Sequence, residues 1–174
     1  MNAAAPDVVL LGNLLVDDIV LRDGRTLMAE PGGAVLHAAL AASLWGARVG
    51  ICSITGTDYP AAALAALASR GIDLAPIPLS RQLELAHGLA PPPGLQRLVS
   101  LDPFELVREG TFGGGFLAGL VTHGDVGRSI EQGIVAASFA IEDWGSRGLM
   151  AASPAAAVDR HTEWFARSPV EASA

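Results

Sequence analysis

The chain has 174 residues, 51% of them hydrophobic, 17% charged and 5% aromatic, so it has the material for one sizeable core and lies far from the composition of disordered chains. Alanine, glycine and proline make up more than a third of it, lysine is absent and the net charge is −7. With scattered arginines as the only strong bases, no cationic stripe can neutralise phosphates, and the few aromatics form no base-stacking platform; both exclude a nucleic-acid partner.

In chain order, the apolar run Val8 to Leu15 predicts a strand buried on both faces. Asp18 to Arg22 and Thr26 to Ala29 flank the turn pair Asp23-Gly24, which predicts a small hairpin. Pro31-Gly32-Gly33 breaks the chain. Ala34 to Trp45 then carries Leu36, Leu40 and Leu44 on one helical face, with Gly46 as its stop. Arg48 to Ile54 reads as a second buried strand. Asp58 is placed to cap a helix with Pro60 in its first turn and Leu64, Leu67 and Ala68 as its buried stripe, closed by Arg70-Gly71. Two strands alternating with two helices is the rhythm of a parallel sheet covered by helices.

From Ala75 to about Arg108 the prolines interrupt regular structure and only Leu95 to Leu101 reads as a strand, so this stretch is assigned as a linker. Helix is predicted from Gly110 to His123, and again from Val126 to Glu142 with Asp125 as cap. On that second helix Ile130, Ile134, Ala137 and Ile141 form one face, with Val135 and Phe139 as a second apolar edge. Pro154 to Arg167 makes a last amphipathic helix, in which Trp164 and Phe165 pack while Arg160 and Glu163 face water.

Cys52 is the only cysteine and reads as a small buried hydrophobe, which fits a reducing, cytoplasmic compartment. The start, Met1 to Asp7, lacks the features of a signal peptide, and no apolar run is long enough to span a membrane. His37, His87, His123 and His161 lie on separate segments without ligand spacing, so no metal site is expected. No Gly-x-Ser-x-Gly elbow is present. The acidic pair Glu142-Asp143 reads as a solvated helix end, with a general acid or base role as the alternative.

Two constellations stand out. Gly12-Asn13 and Asp17 near the end of the first strand precede Gly32-Gly33 at a helix start. Ligands of α/β folds sit at such places, and a carboxylate beside two glycines accepts hydrogen bonds from adjacent hydroxyls; the alternative is a plain turn with a solvent-facing Asp17. The second is the glycine-rich run from Gly110 to Leu120. It reads either as an anion-holding helix start or as a seam of close helix packing. It is neither a Walker A loop nor a Rossmann fingerprint.

The wording and order of these segments resemble the ribokinase/PfkB carbohydrate kinase family. The words are Leu11-Gly12-Asn13 with Asp17, Gly32-Gly33-Ala34, Leu44-Trp45-Gly46-Ala47, Ile54-Thr55-Gly56-Thr57-Asp58 and Arg70-Gly71-Ile72-Asp73, then Thr111-Phe112-Gly113-Gly114-Gly115 and the helix from Gly133 to Asp143. The resemblance implies a single ribokinase-like domain over 1–174, a three-layer α/β/α arrangement with a mainly parallel sheet, here incomplete. Its substrate-site half is 1–78, its linker 79–108 and its helical half 109–174. It also implies ATP-dependent phosphorylation of a sugar or nucleoside hydroxyl, with ATP and Mg²⁺ as cofactors.

Residue by residue, the resemblance assigns Asp17, Gly32 and Gly33 to the substrate, with His37 where the family has Asn. It assigns Gly110, Thr111 and Gly113 to the nucleotide or its anion. Where the family carries Gly-Ala-Gly-Asp, this chain has Val107-Arg108-Glu109-Gly110; the base position falls on Gly110, and Glu109, one residue earlier, is the candidate for that role. The Asn-x-x-Glu element associated with Mg²⁺ has no counterpart, since the asparagines are Asn2 and Asn13. The alternative is a non-catalytic sugar-binding remnant that forms a homodimer to cover its open sheet edges.

Overall fold

The computed structural model describes residues 5–75, apart from positions 22, 54 and 58, and residues 103–165. Its elements are β1 (Val8–Leu11), β2 (Leu15–Val20), β3 (Thr26–Gly32), α1 (Ala34–Ser43), β4 (Val49–Cys52), α2 (Ala61–Ser69), α3 (Pro103–His123), α4 (Val126–Ala140), α5 (Arg147–Ala151) and α6 (Pro154–Phe165). The described residues form an α/β fold. Its strands form a parallel pair, β1 with β4, and an antiparallel hairpin, β2 with β3.

β1 and β4 run in register from Val8 opposite Val49 to Leu11 opposite Cys52, and Gly50 also bridges in parallel to Asp73. β4 is thus flanked on both sides, which buries Val49, Gly50 and Ile51. β1 is not buried on both faces as expected: among the described residues it pairs with β4 alone, and Leu11 is 78% exposed. It is also shorter than expected. After Gly12 N donates to Cys52 O, the chain turns and Leu15 opens β2. Cys52 is exposed at the end of β4, correcting the expectation of a buried thiol.

The hairpin turns at Asp23-Gly24, with Gly24 at φ 83°. It is longer than expected because β3 continues through Pro31 and Gly32, which pair with Val16 and Leu15; the chain breaks at Gly33 instead. The ladder shifts between Asp17 and Ile19. At this bulge Asp18 Oδ1 accepts from Ala29 N (2.9 Å), and Ala29 is held at φ 57°, a conformation rare for a residue with a Cβ.

Leu36, Leu40 and Leu44 are fully buried as their spacing predicts, and so are Ala39, Ala41 and Ala42. The reason is that α1 packs against β1, β4 and α3, so no face of it meets water for long. Gly46, at φ 76°, ends it as expected. On α2, Ala63 and Leu67 are buried while Ala68 is not; Asp58 lies outside the described residues, and Pro60 occupies the cap position.

The linker expected over 79–108 lies outside the described residues up to 102, as does the strand expected at Leu95 to Leu101. From Pro103 onward it is helix. α3 therefore starts seven residues before Gly110, with a proline at its first position, where the missing N–H costs nothing. Its glycines form two seams. A Cβ on Gly110 would sit 3.1 Å from Ala34 O, and one on Gly114 would overlap Ala38 O and lie 2.7 Å from Ala38 Cα, so this pair lets α1 approach closely. Cβ atoms on Gly115 and Gly119 would meet Gln132 O at 2.8 Å and Ser129 Cα at 2.7 Å, so the second pair seats α4.

Asp125 caps α4 as expected, its Oδ1 accepting from Arg128 N at 2.8 Å. The buried face differs from the expected one. Ser129, Gln132, Gly133, Val135, Ala136 and Phe139 are buried, while Ile130, Ile134 and Ile141 are exposed. Arg160 does not face water either: its guanidinium lies 3.7 Å from the Phe139 ring centroid, bonds Ser138 Oγ and pairs with Glu142 at 2.7 Å. Trp164, expected to pack, is half exposed. α5 was not foreseen. Arg70 Nη2 fastens it by donating to the carbonyls of Leu149, Met150 and Ala152 at 2.7–3.2 Å, and Arg147 ties it to Glu30 of the hairpin. No helix among the described residues is long and apolar enough to cross a membrane.

Candidate functional site

The site forms where β2 rises beside the start of α1. The loop between β1 and β2 is clasped to the end of β4: Leu14 N donates to Ser53 Oγ (3.0 Å), and Thr55 Oγ1 donates to Leu14 O (3.4 Å). Three residues beyond this clasp, Asp17 lies over Gly32. A Cβ on Gly32 would overlap Asp17 Oδ2 and come within 3.0 Å of Oδ1. Gly33, at φ 101°, has no room for a Cβ either, because the carbonyl oxygen of Asn13 fills that space. Each glycine is therefore required for a different reason, one for a carboxylate and one for the backbone.

Beneath this pair stands His37, only 1% exposed, with Nδ1 3.0 Å from Gly33 O. A carbonyl only accepts, so Nδ1 is the donor in this bond. Nε2 is buried and has no partner among the described residues. The Asp17 carboxyl is held above its ordinary range chiefly by burial, with Asp18 adding in the same direction and His37 opposing. Tyr59 completes the surroundings. It is 5% exposed, its hydroxyl is buried without a partner among the described residues, and burial together with the charge of Asp17 pushes its ionisation well up.

The structure thus brings together Asp17, Gly32, Gly33 and His37. Gly110 abuts Ala34, the residue that follows the glycine pair, so α3 delivers the stretch containing Glu109, Gly110 and Thr111 to the edge of the same region. Gly113 faces open space. Tyr59 and the Ser53–Thr55 clasp were missed in the sequence. The available signal was that Tyr59 is the chain's only tyrosine and directly follows the Gly56-Thr57-Asp58 word.

A cytidine kinase of Thermococcus kodakarensis is 41% identical to this chain over 63 residues, which is 36% of this chain and 22% of the kinase. Over those residues the chain is similar to that kinase. It spans less than a quarter of that kinase's length. A solved structure, a PfkB protein from Polaromonas sp. JS666, matches 45% of this chain and 29% of its own at 27% identity, with a TM-score of 0.35. No family model matches the sequence.

The placement of α3 bears on the nucleotide assignment. An anion-holding helix start at Gly110 is corrected by the structure: Gly110, Thr111 and Gly113 lie inside α3, where backbone N–H groups bond to the preceding turn. Thr111 is fully buried. Among the described residues no group of three His, Cys, Asp or Glu side chains is placed to hold a metal ion. Within this helix the backbone N–H groups of Gly110, Thr111 and Gly113 are taken up by intrahelical bonds and do not form an anion cradle. Glu142 is engaged by Arg160, and His161 lies 3.0 Å from Glu131, so neither offers an uncommitted acid or base pair.

Proposed function

We propose that this chain binds a sugar or nucleoside through adjacent hydroxyls at Asp17, Gly32, Gly33 and His37, in the manner of the carbohydrate and nucleoside kinases it is related to. The observation that carries this reading is the Asp17 carboxylate seated on Gly32 beside the unpartnered His37 Nε2. The carboxylate accepts hydrogen bonds, and a ligand that engages both its oxygens is one with neighbouring O–H donors. The kinase named among the relatives makes cytidine the first candidate and ribose the second.

Phosphorylation of a bound hydroxyl by ATP with Mg²⁺ is the reaction that kinship suggests, with Glu109 as the candidate base. The helical course of α3 through Gly110 favours the second reading, a binding protein in which transfer is lost. Calorimetric titration with cytidine and ribose, followed by an ADP-release assay with ATP and Mg²⁺, separates the two. Binding with ADP release supports the kinase; binding without it supports the binding protein; no binding to either compound overturns both. A homodimer covering the edge of β1 that is unpaired among the described residues, where Leu11 is exposed, is compatible with either reading and is checked by light scattering.

A further inference from the structure

A cavity of about 450 Å³, a size usual for small-molecule sites, opens at the end of α1 opposite Gly33 and His37. Leu44 and Trp45, at the close of α1, line it together with Val158 and His161 of α6; His123 ends α3 and Arg128 begins α4 in the same lining. The chain has 18 acidic and 11 basic side chains, yet no Asp or Glu among the described residues lines this cavity. Its formal charge is that of Arg128, positive in a molecule of net charge −7. The exposed Arg128 guanidinium makes no ion pair among the described residues, and the acids near it are committed elsewhere. Asp125 Oδ1 accepts from the Arg128 backbone N–H at 2.8 Å, and Glu131 lies 3.0 Å from His161 Nε2.

The wall also carries hydrogen-bonding capacity that the fold does not use. Gln132, 4% exposed, turns Nε2 to His123 Nε2 at 3.5 Å and leaves Oε1 without a partner among the described residues; Trp45 Nε1 is buried and unpartnered in the same way. Buried polar groups are nearly always paired, so two exceptions on residues of one cavity wall mark packing that lacks an occupant.

We propose that this cavity binds a small monocarboxylate with an apolar body, its carboxylate on Arg128 and its body against Leu44, Trp45 and Val158. A guanidinium presents two parallel N–H donors that match the two oxygens of a carboxylate. A bare anion leaves the apolar lining unfilled, and a neutral compound forgoes the charge of Arg128. The site is independent of the hydroxyl-binding reading, since Leu44 stands about two helical turns from His37 along α1.

The probe is phenylacetate, followed through the indole N–H resonances of ¹⁵N-labelled protein. Trp144→Phe and Trp164→Phe, both at partly exposed positions, identify the Trp45 resonance by elimination. Phenylacetate is expected to shift it saturably and to leave that of Trp144 in place. Arg128→Gln, a change at an exposed side chain, should leave the thermal midpoint of the free protein unchanged and weaken phenylacetate about tenfold. Phenylacetamide keeps the shape without the charge, and acetate keeps the charge without the body. Each should bind at least about tenfold more weakly than phenylacetate. A Trp45 resonance that shows no saturable shift with phenylacetate overturns the site, whatever cytidine and ribose do at Asp17. Equal affinity for phenylacetamide, or equal phenylacetate affinity in Arg128→Gln, overturns the ionic anchor, and equal affinity for acetate overturns the apolar one.

Discussion

The carboxylate of Asp17 occupies the volume that a side chain on Gly32 would need. Gly32 has no other requirement of this kind, whereas its neighbour Gly33 is confined by backbone: φ is 101° and the Asn13 carbonyl fills the Cβ position. The two glycines should therefore fail differently. Gly32→Ala displaces a flexible side-chain tip and costs less than about 1 kcal/mol of stability, but it lowers cytidine affinity at least tenfold by expelling Asp17. Gly33→Ala forces backbone movement and costs about 2–3 kcal/mol. Urea denaturation and calorimetry on both variants check this; equal stability losses would refute it.

The buried setting of Asp17 has a pH signature. Its carboxyl is raised from 3.8, chiefly by burial, so the folded state favours the protonated form. The associated stability is fully present below the unfolded value and is lost as pH rises through the folded value. Asp17→Asn removes this loss. The variant is expected to match or fall below wild type near pH 3.5 and to exceed it at neutral pH, with the difference growing between. Thermal unfolding of the two proteins across that range tests it, and parallel curves would refute it. Diol binding, which uses the ionised carboxylate, should strengthen over the same interval.

Arg70 holds α5 by one nitrogen shared among three carbonyls, and burial lowers its own ionisation. Arg70→Met keeps the aliphatic stem and strands those carbonyls. The expected cost is about 2–3 kcal/mol, since the bonds are to a charged donor and partly buried. Urea denaturation should show a lower midpoint at unchanged slope, and a change under about 0.5 kcal/mol would mean that solvent replaces the guanidinium.

The Asp17–Gly32–Gly33 part of the candidate site was legible because a Cβ at position 32 would meet the Asp17 carboxylate and one at position 33 the Asn13 backbone, which leaves a glycine pair in the sequence. Tyr59 was not legible, because an aromatic ring beside a helix start reads as core, and the ring is indeed core; only the unpartnered hydroxyl distinguishes it. The helices show the opposite problem. Hydropathy assigns Ile130, Ile134 and Ile141 to the inside of α4, yet α3 comes closest through Gly115 and Gly119. The face that meets them is therefore the small and polar one of Ser129, Gln132, Gly133 and Ala136. A seam of small residues carries no hydrophobic signal. For the same reason the glycines of α3 read as a helix start when they are points of contact.

That seam gives the sharpest mutational contrast in the molecule, between adjacent glycines of one helix. A Cβ on Gly113 meets nothing within 4 Å, whereas one on Gly114 overlaps the backbone of Ala38. Gly113→Ala adds helix propensity and restricts the unfolded chain, so it should stabilise by about 0.5–1 kcal/mol. Gly114→Ala gains the same propensity but pushes α3 off α1 along their line of closest approach. Since α1 carries Leu36, His37 and Leu40 at the centre of the core, this should cost about 3 kcal/mol or more. Urea midpoints of the two variants are predicted to move in opposite directions. Movement in the same direction would mean that α1 and α3 are not in backbone contact at Ala38, and the packing account of the glycine run would fail with it.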